Sequence, residues 1–320
     1  MKPAQLFQLV LLGLLWGSSY LFIKVAVKGI DPATLVEGRL VIGTAVLLLL
    51  LRLRRLRLPR EPRTWFHLLV MAVVGVVLPQ LLIAWSEQHI ASSLAAILNA
   101  TTPFFTLCFA AGLFQTERFS AEKLGGLLVG FAGIAVLAGA GLADLAASST
   151  RGELAMLLSS VGYGAGFAYA RRYLRGDAVV LAGGEMLLAA LVAVPVVLAT
   201  GHPGAMALTP MRLVAWLALG AFSSGFAYVL YFGLIESAGA STASFGTYLI
   251  PPVGVFWGWL LLGEGVGART IAGVVLILGG VALATWTRGG GGRAAPALAL
   301  QGEEPVESAR FDGTIRSGRR

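Results

Sequence analysis

Polar and aromatic side chains recur at helical spacing in six apolar stretches of this sequence. Residues three or four positions apart share one face of a helix, and a face of this kind can contact a solute in a water-filled cavity. The candidate solute-binding residues are Trp16, Ser19, Gln80, Asn99, Thr102, Tyr163, Tyr228, Tyr231, Ser244, Thr247 and Tyr248. The alternative is that the hydroxyl residues only pack helices together and that the aromatic ones mark the lipid interface.

Charges inside the apolar stretches are few, and Glu37, Arg39 and Glu185 are the ones that lie within helices 2 and 7 of the predicted set. An ionisable group at the centre of a membrane helix costs about 2.5–3.5 kcal/mol on insertion scales, so it usually has a partner or a function. One hypothesis is that Arg39 and Glu185 form an ion pair, and another is that Glu37 or Glu185 binds a coupling proton. The third is that all three lie near helix ends and reach water.

Two prolines and three glycine pairs indicate how the helices bend and pack. Pro103 and Pro251 lie inside apolar stretches, and proline removes a backbone hydrogen bond, so we expect kinks there. Glycines four residues apart allow two helices to approach closely, either within one chain or in a homodimer. These pairs are Gly126–Gly130, Gly162–Gly166 and Gly254–Gly258.

Composition places the chain in a membrane. Hydrophobic residues make up 57% of it and charged residues only 12%, whereas a soluble domain has about 25% charged residues. The single Cys108 excludes a disulfide framework, and the three histidines lack the spacing of metal ligands. The net charge of +8 reflects membrane topology better than nucleic-acid binding, because the basic residues sit at segment ends and in one tail. We therefore expect no metal, no cofactor and no nucleic-acid partner.

Ten stretches are long and apolar enough to predict membrane-spanning helices. They cover approximately residues 6–27, 33–51, 66–86, 92–114, 123–142, 152–172, 178–199, 211–235, 239–263 and 268–286. We predict helices and not barrel strands, because the stretches do not alternate and each helix satisfies its own backbone. The fold class is therefore all-α and integral to the membrane. The first stretch exceeds the apolar core of a signal peptide, so we expect it to be retained.

The distribution of lysine and arginine predicts the orientation. If the N-terminus is cytoplasmic, most of the basic residues also lie on the cytoplasmic side, as the positive-inside rule requires. Both termini are then expected in the cytoplasm. Residues 288–320 are rich in glycine and charge, which predicts a disordered cytoplasmic tail.

An internal repeat organises the chain. At a shift of 148 residues, Ser93, Ala95 and Pro103 fall on Ser241, Ala243 and Pro251, and at a shift of 147, Leu113, Glu117, Gly126 and Gly133 fall on Leu260, Glu264, Gly273 and Gly280. The predicted repeats are residues 1–146 and 147–287, with five helices each. Because five is odd, the second copy must enter the membrane from the opposite side. Inverted repeats of this kind enclose a cavity between the halves and supply two near-equivalent states.

The sequence resembles the EamA-type branch of the drug/metabolite transporter superfamily. The resemblance rests on the Trp-Gly-Ser-Ser segment at Trp16–Ser19, the Asn-Ala-Thr-Thr-Pro segment at Asn99–Pro103, and the Leu-Leu-Gly-Glu step at Leu261–Glu264. It covers approximately residues 6–286 and leaves only the tail outside. It implies a ten-helix carrier of the bacterial inner membrane that moves small metabolites, often outward.

The remaining patterns favour a secondary transporter over other classes. The Gly-x-x-x-x-Gly-Lys-Ser/Thr loop of nucleotide-driven pumps is absent from the sequence, as are hydrolase and metalloprotease motifs. A mostly neutral, aromatic lining suits amino acids and amphiphilic compounds. A multidrug carrier, a nucleotide-type carrier or, less favoured, a channel are the alternatives. Facilitated diffusion and proton antiport both remain open.

Overall fold

Short local signals fix where several helices begin. Proline occupies the first turn at Pro3, Pro32, Pro62 and Pro210, where its missing N–H is not needed and its φ is already helical. Asp31 caps one helix by accepting a hydrogen bond from Thr34 N at 3.0 Å. Asp177 caps another by accepting from Val179 N at 2.8 Å. Both caps satisfy backbone groups that a helix end leaves unpaired.

The computed structural model describes residues 1–86, 89–90, 92–138, 149–262 and 265–286, and all regular structure in these ranges is helical. The α-helices are α1 (Pro3–Ala26), α2 (Pro32–Leu53), α3 (Pro62–Met71), α4 (Leu78–Ser86), α5 (Ser92–Asn99), α6 (Thr102–Cys108), α7 (Ala121–Ala138), α8 (Thr150–Tyr173), α9 (Ala178–Thr200), α10 (Pro210–Ala218), α11 (Ala227–Ala238), α12 (Ala240–Ser244), α13 (Ile250–Leu262) and α14 (Ala268–Thr285). The predicted tail, 288–320, lies outside the described residues.

Turns of other pitch join some of these helices into longer runs. A π-helical segment, Ala72–Val77, connects α3 to α4, and a second one, Leu219–Phe226, connects α10 to α11. A third π segment, Phe109–Leu113, extends α6, and a 3₁₀ segment, Phe245–Leu249, connects α12 to α13. A short 3₁₀ turn, Pro203–Ala205, follows α9.

Within the described ranges, six helical runs are long and apolar enough to cross a membrane. They are Pro3–Ile23, Pro32–Leu53, Pro62–Ser86, Ala178–Thr200, Pro210–Ala238 and Ala268–Thr285. The protein is therefore an all-helical, multi-pass membrane protein.

The helices predicted over 92–114 and 239–263 are interrupted, not simply kinked. Pro103 is the second residue of α6, after a turn at Ala100–Thr101, and Pro251 is the second residue of α13, after the 3₁₀ segment. A proline ring clashes with the carbonyl four residues earlier and lacks an N–H. The backbone therefore leaves α geometry in the turn that precedes each proline.

Glycines bring α7 and α14 into close contact. A Cβ on Gly280 would lie 2.4 Å from the backbone N of Gly130, and a Cβ on Gly126 would lie 2.4 Å from the carbonyl O of Gly280. The pair Gly126–Gly130 therefore serves packing within the chain. Gly254 on α13 has no atom within 4 Å of its hypothetical Cβ, and a contact of this face within the chain or between two copies stays a prediction.

The structure repeats with the period of the sequence. The π segments that begin at Ala72 and Leu219 start 147 residues apart, and the capping residues Asp31 and Asp177 lie 146 residues apart. The two halves thus share local features that composition alone does not dictate.

Candidate functional site

A cavity of about 280 Å³ lies between helices from both halves of the chain. Its polar, charged and aromatic lining consists of Trp16, Ser19, Arg39, Gln80, Asn99, Tyr163, Phe167, Tyr228 and Thr247. Its aliphatic lining consists of Ile23, Val27, Pro32, Leu35, Val36, Ile83, Ala84 and Ile250. Most of the side chains that sequence reasoning singles out on separate helices thus line a single cavity.

An aromatic cluster lies at one wall of the cavity, which three of its members, Trp16, Phe167 and Tyr228, line. The ring of Trp16 lies 6.2 Å from Phe167, 6.3 Å from Tyr228 and 6.1 Å from Tyr231, measured between centroids. Phe167 and Tyr231 are themselves 4.8 Å apart in an edge-to-face arrangement. Trp16 comes from α1 and the other three from α8 and α11, so the cluster joins the two halves. Edge-to-face pairs contribute about 0.5–1.5 kcal/mol beyond their buried area.

Arg39 brings a fixed positive charge into the wall. Its Nε donates a hydrogen bond of 2.9 Å to Oγ of Ser224, a buried residue of the π segment between α10 and α11. Arg39 also lies close enough to Tyr163 and Tyr228 to interact electrostatically with both. The guanidinium is therefore held at the cavity by groups from the other half of the chain.

Two amide side chains of the wall present oxygens that lack hydrogen-bond partners among the described residues. These are Oε1 of Gln80 and Oδ1 of Asn99, on side chains that are only 6% and 7% exposed. A buried acceptor without a donor is costly. A ligand that offers N–H groups would remove this cost.

Glu185 lies just behind this wall. Its side chain is fully buried, and neither carboxylate oxygen has a hydrogen-bond partner among the described residues. It is close enough to Tyr228 and Tyr231 to interact with them electrostatically. Since Arg39 Nε donates to Ser224 and Glu185 accepts no hydrogen bond, the ion pair between them stays a prediction. Glu185 does not reach water in this conformation.

Several other predicted site residues lie outside the cavity lining. The hydroxyl of Tyr248 donates to the carbonyl of Leu127 at 3.0 Å, and Oγ of Ser244 donates to the carbonyl of Ser241 at 2.8 Å. The remaining members of this group are Thr102, Tyr231, Glu37, Pro103 and Pro251. Tyr248 and Ser244 thus make structural hydrogen bonds, which helical spacing cannot distinguish from contacts with a solute.

The two ends of the cavity differ. At one end the lining reaches Val27 and Pro32, which flank the connection between α1 and α2. Leu174, which lies 147 residues after Val27 in the second half, is buried. Leu174 borders a pocket of about 30 Å³, which Leu181 and Phe232 also line.

Arg171 fastens the closed end. Its Nη1 donates to the carbonyl of Ile235 at 2.9 Å and to that of Glu236 at 2.6 Å. These carbonyls belong to the last turn of α11, where an α-helix leaves its C=O groups unpaired and favours a cation. Arg171 therefore clamps α8 to the end of α11.

Glu117 connects the two halves outside the membrane-spanning segments. One oxygen accepts a hydrogen bond of 3.1 Å from Ser241 N, and the other forms an ion pair with Lys123. Burial acts to raise the pKa of Glu117, but the charge of Lys123 and the hydrogen bonds with Lys123 and Ser241 outweigh it, so the pKa is lowered. Its repeat-equivalent, Glu264, lies outside the described residues.

Comparison with known proteins identifies the architecture. The model of the EamA-like transporter family matches twice, over residues 4–139 and 150–286. The chain belongs to the EamA-like transporter family. The resemblance inferred from the sequence motifs is thereby confirmed, and the two matches correspond to the two halves of the internal repeat.

Curated relatives of this EamA-like protein are named as transporters. The uncharacterized inner membrane transporter YedA of Escherichia coli (strain K12) is 29% identical over 275 residues, covering 84% of each chain. A probable terminal-alkyne amino-acid exporter of Streptantibioticus cattleyicolor is 30% identical over 280 residues, covering 84% of this chain and 91% of the relative. These names indicate a transporter and not an enzyme.

A solved crystal structure has the same fold. It superposes with a TM-score of 0.75 at 20% sequence identity, covering 89% of this chain and 99% of the other. The EamA-like architecture described above therefore has a solved counterpart over nearly its full length.

Sequence reasoning missed the apolar part of the cavity wall in this EamA-like protein. Phe167 and the aliphatic residues Ile23, Leu35 and Ile83 line the cavity, but their types are those of any membrane helix. One signal was available for Phe167, since it follows Tyr163 by four residues and so shares its helix face.

Proposed function

We propose that this EamA-like protein is a secondary transporter that exports small organic solutes by alternating access across the inner membrane. The observation that carries the proposal is the cavity of about 280 Å³, whose wall comes from both halves of the repeat. A site at the interface of two repeats is typical of secondary transporters. The relative named as an inner membrane transporter supports the location.

The proposed topology has ten membrane crossings, five in each repeat, with the second repeat inverted. The repeated π segments and Asp caps support equivalent folds for the two halves. The positive-inside rule favours cytoplasmic termini. The connection between α1 and α2 then lies on the periplasmic side, so the cavity described above faces outward.

Alternating access is supported by the difference between the two cavity ends. Val27 lines the open end and is 44% exposed, whereas its counterpart Leu174 is 7% exposed. If the two repeats exchange conformations, the end around Leu174 opens and the end around Val27 closes. One mechanism then serves both directions of access without a separate gate.

The cavity chemistry favours an amino-acid-like solute. Arg39 supplies the cation that a carboxylate needs, and the amide oxygens of Gln80 and Asn99 can accept N–H groups from an ammonium. Trp16 and Phe167 offer an apolar surface for a hydrophobic side chain. The relative named as a probable terminal-alkyne amino-acid exporter is consistent with this chemistry. A single guanidinium in the described wall is a poor match for nucleotides.

Counterflow in proteoliposomes tests the proposal. Vesicles are loaded with unlabelled propargylglycine, leucine or phenylalanine, and uptake of the labelled compound is measured with and without competitors. A carrier gives saturable, competable exchange. Non-saturating flux would indicate a channel instead, and exchange of lipophilic drugs or nucleotides without amino-acid exchange would indicate the multidrug or nucleotide-type alternatives.

A further inference from the structure

Glu185 is a carboxyl group that nothing in the described structure satisfies. It lies in the first half of α9, its side chain has 0% exposure, and both oxygens lack hydrogen-bond partners among the described residues. An isolated ionised carboxylate in an apolar interior is strongly unfavourable, and the group normally becomes neutral instead. Glu185 therefore holds a proton in this conformation.

The surroundings of Glu185 place it next to the cavity without opening it to water. Tyr228 both lines the cavity and interacts with Glu185, while Tyr231 interacts with Glu185 from one turn further along α11. The other elements packed against α9 are α2, α3 and the π segments Ala72–Val77 and Leu219–Phe226. Their charged or titratable side chains are Glu37, Arg39, Arg52, Arg63 and His67.

Glu185 is also the repeat-equivalent of Arg39, at a shift of 146 residues. Arg39 lines the cavity in the present conformation, whereas Glu185 is buried. If the repeats exchange conformations, the place that Arg39 now occupies in the wall passes to Glu185. The carboxyl group would then meet water on the side of the connection between α8 and α9.

We propose that Glu185 binds the proton that this carrier exchanges for its solute; the proposal rests on the alternating access proposed above. With the cavity open near the connection between α1 and α2, the proton reaches Glu185 past the Tyr228 hydroxyl and stays on the carboxylate. When the opposite end opens, the carboxyl group is hydrated and releases the proton there. One proton thus moves inward for each solute that moves outward.

Carbodiimide labelling tests whether Glu185 is protonated, and it needs no solute. Dicyclohexylcarbodiimide is lipophilic and modifies protonated carboxyl groups, so peptide mass spectrometry of the purified full chain should find Glu185 modified at neutral pH. Glu117, which is ion-paired with Lys123, should stay unmodified under the same conditions. An unmodified Glu185 in the wild-type protein would overturn the proposal.

The Glu185→Gln variant tests coupling. Proteoliposomes with an imposed pH gradient should accumulate labelled propargylglycine when they contain wild-type protein and lose this accumulation with E185Q, while counterflow, which needs no net proton movement, is retained. Gradient-driven accumulation by E185Q at the wild-type level would refute the role of Glu185. Absence of wild-type counterflow would count against the proposed function instead. If E185Q loses counterflow as well, the carbodiimide labelling of wild-type Glu185 decides whether the proposal stands.

Discussion

The two ends of the cavity are built from equivalent parts of the repeat but differ in conformation. At the open end, Val27 and Pro32 border a cavity of about 280 Å³. At the closed end, Leu174 and Leu181 pack with Phe232 around a pocket of about 30 Å³. The same module therefore supports both an open and a closed mouth.

The difference indicates what closure requires. The closed end is held by aliphatic and aromatic packing and by the two hydrogen bonds that Arg171 donates. Ion pairs within the closed mouth are absent from the described residues. Contacts of this kind can separate and re-form without exposing buried charge, which suits a mouth that opens in every cycle.

The largest effect is expected at the open cavity, from Arg39→Gln. In the proposed complex, Arg39 pairs with the carboxylate of the solute. Removing one partner of a buried, hydrogen-bonded charge pair costs about 2–5 kcal/mol, so solute affinity should fall by at least about thirtyfold. The apparent affinity in counterflow measures this loss. Arg52→Gln, an exposed position on the same helix α2, is the matched control. Equal transport by both variants would remove Arg39 from the site.

The second-largest effect is expected at the contact between α7 and α14, which belongs to neither end of the cavity. Gly280→Val would place a side chain against the backbone of Gly130, and overpacking of this kind costs about 1–3 kcal/mol. Thermal unfolding in detergent should show the loss, while the neighbouring Gly279→Val, with no atom within 4 Å, should be close to wild type. A Gly280→Val protein of normal stability would show that α7 and α14 separate easily.

A smaller change is expected from Arg171→Ala at the closed end. A hydrogen bond from a charged donor contributes about 1.5–3 kcal/mol, and the partial exposure of Arg171 favours the smaller value. The equilibrium between the closed and open states of this end should therefore shift by roughly tenfold toward the open state. In a Cys108→Ser background, the thiol introduced by Leu181→Cys should react faster with a water-soluble thiol reagent when the chain also carries Arg171→Ala. Arg172→Ala is the adjacent exposed control. Unchanged reactivity would show that packing alone closes this end.

The smallest effect is a pH dependence that involves Glu117. Because its pKa in the folded protein is below the ordinary value of 4.5, ionised Glu117 stabilises the fold above that value, and the contribution disappears as pH falls through the lowered pKa. Losing the hydrogen bond that Glu117 accepts from Ser241 N costs about 1 kcal/mol. Melting temperatures measured from neutral to acidic pH should fall less steeply for Glu117→Gln than for the wild type. Parallel curves would contradict the prediction, and Glu122→Gln is the control.

Much of the fold follows from sequence because membrane helices have strong signals. Long apolar stretches mark helices whose bounds the structure closely reproduces, such as the predicted stretch 178–199 and the observed helix Ala178–Thr200. The interruptions before Pro103 and Pro251 were expected only as kinks. Proline identifies the place of a distortion, but the packing around it determines whether the helix bends or breaks.

The candidate site was harder to predict than the fold. Trp16, Gln80 and Asn99 line the cavity as their helix faces suggested, but Tyr248, of similar character, donates to the carbonyl of Leu127 instead. Helical spacing gives the face of a residue and not what that face meets. The closed end could not be predicted from the sequence, because a leucine that packs at the closed end of the cavity is the same residue type as one that faces lipid.

The π segment Leu219–Phe226 affects the rotation of α11 about its own axis relative to α10. A π turn holds one more residue than an α turn, closing its hydrogen bonds five residues apart instead of four. If the segment relaxed to α geometry, one residue would pass into the following helix, and α11 would rotate by about 100° relative to α10. Tyr228 and Tyr231 would then turn away from Trp16, and the wall would be re-lined by rotation of one helix about its own axis.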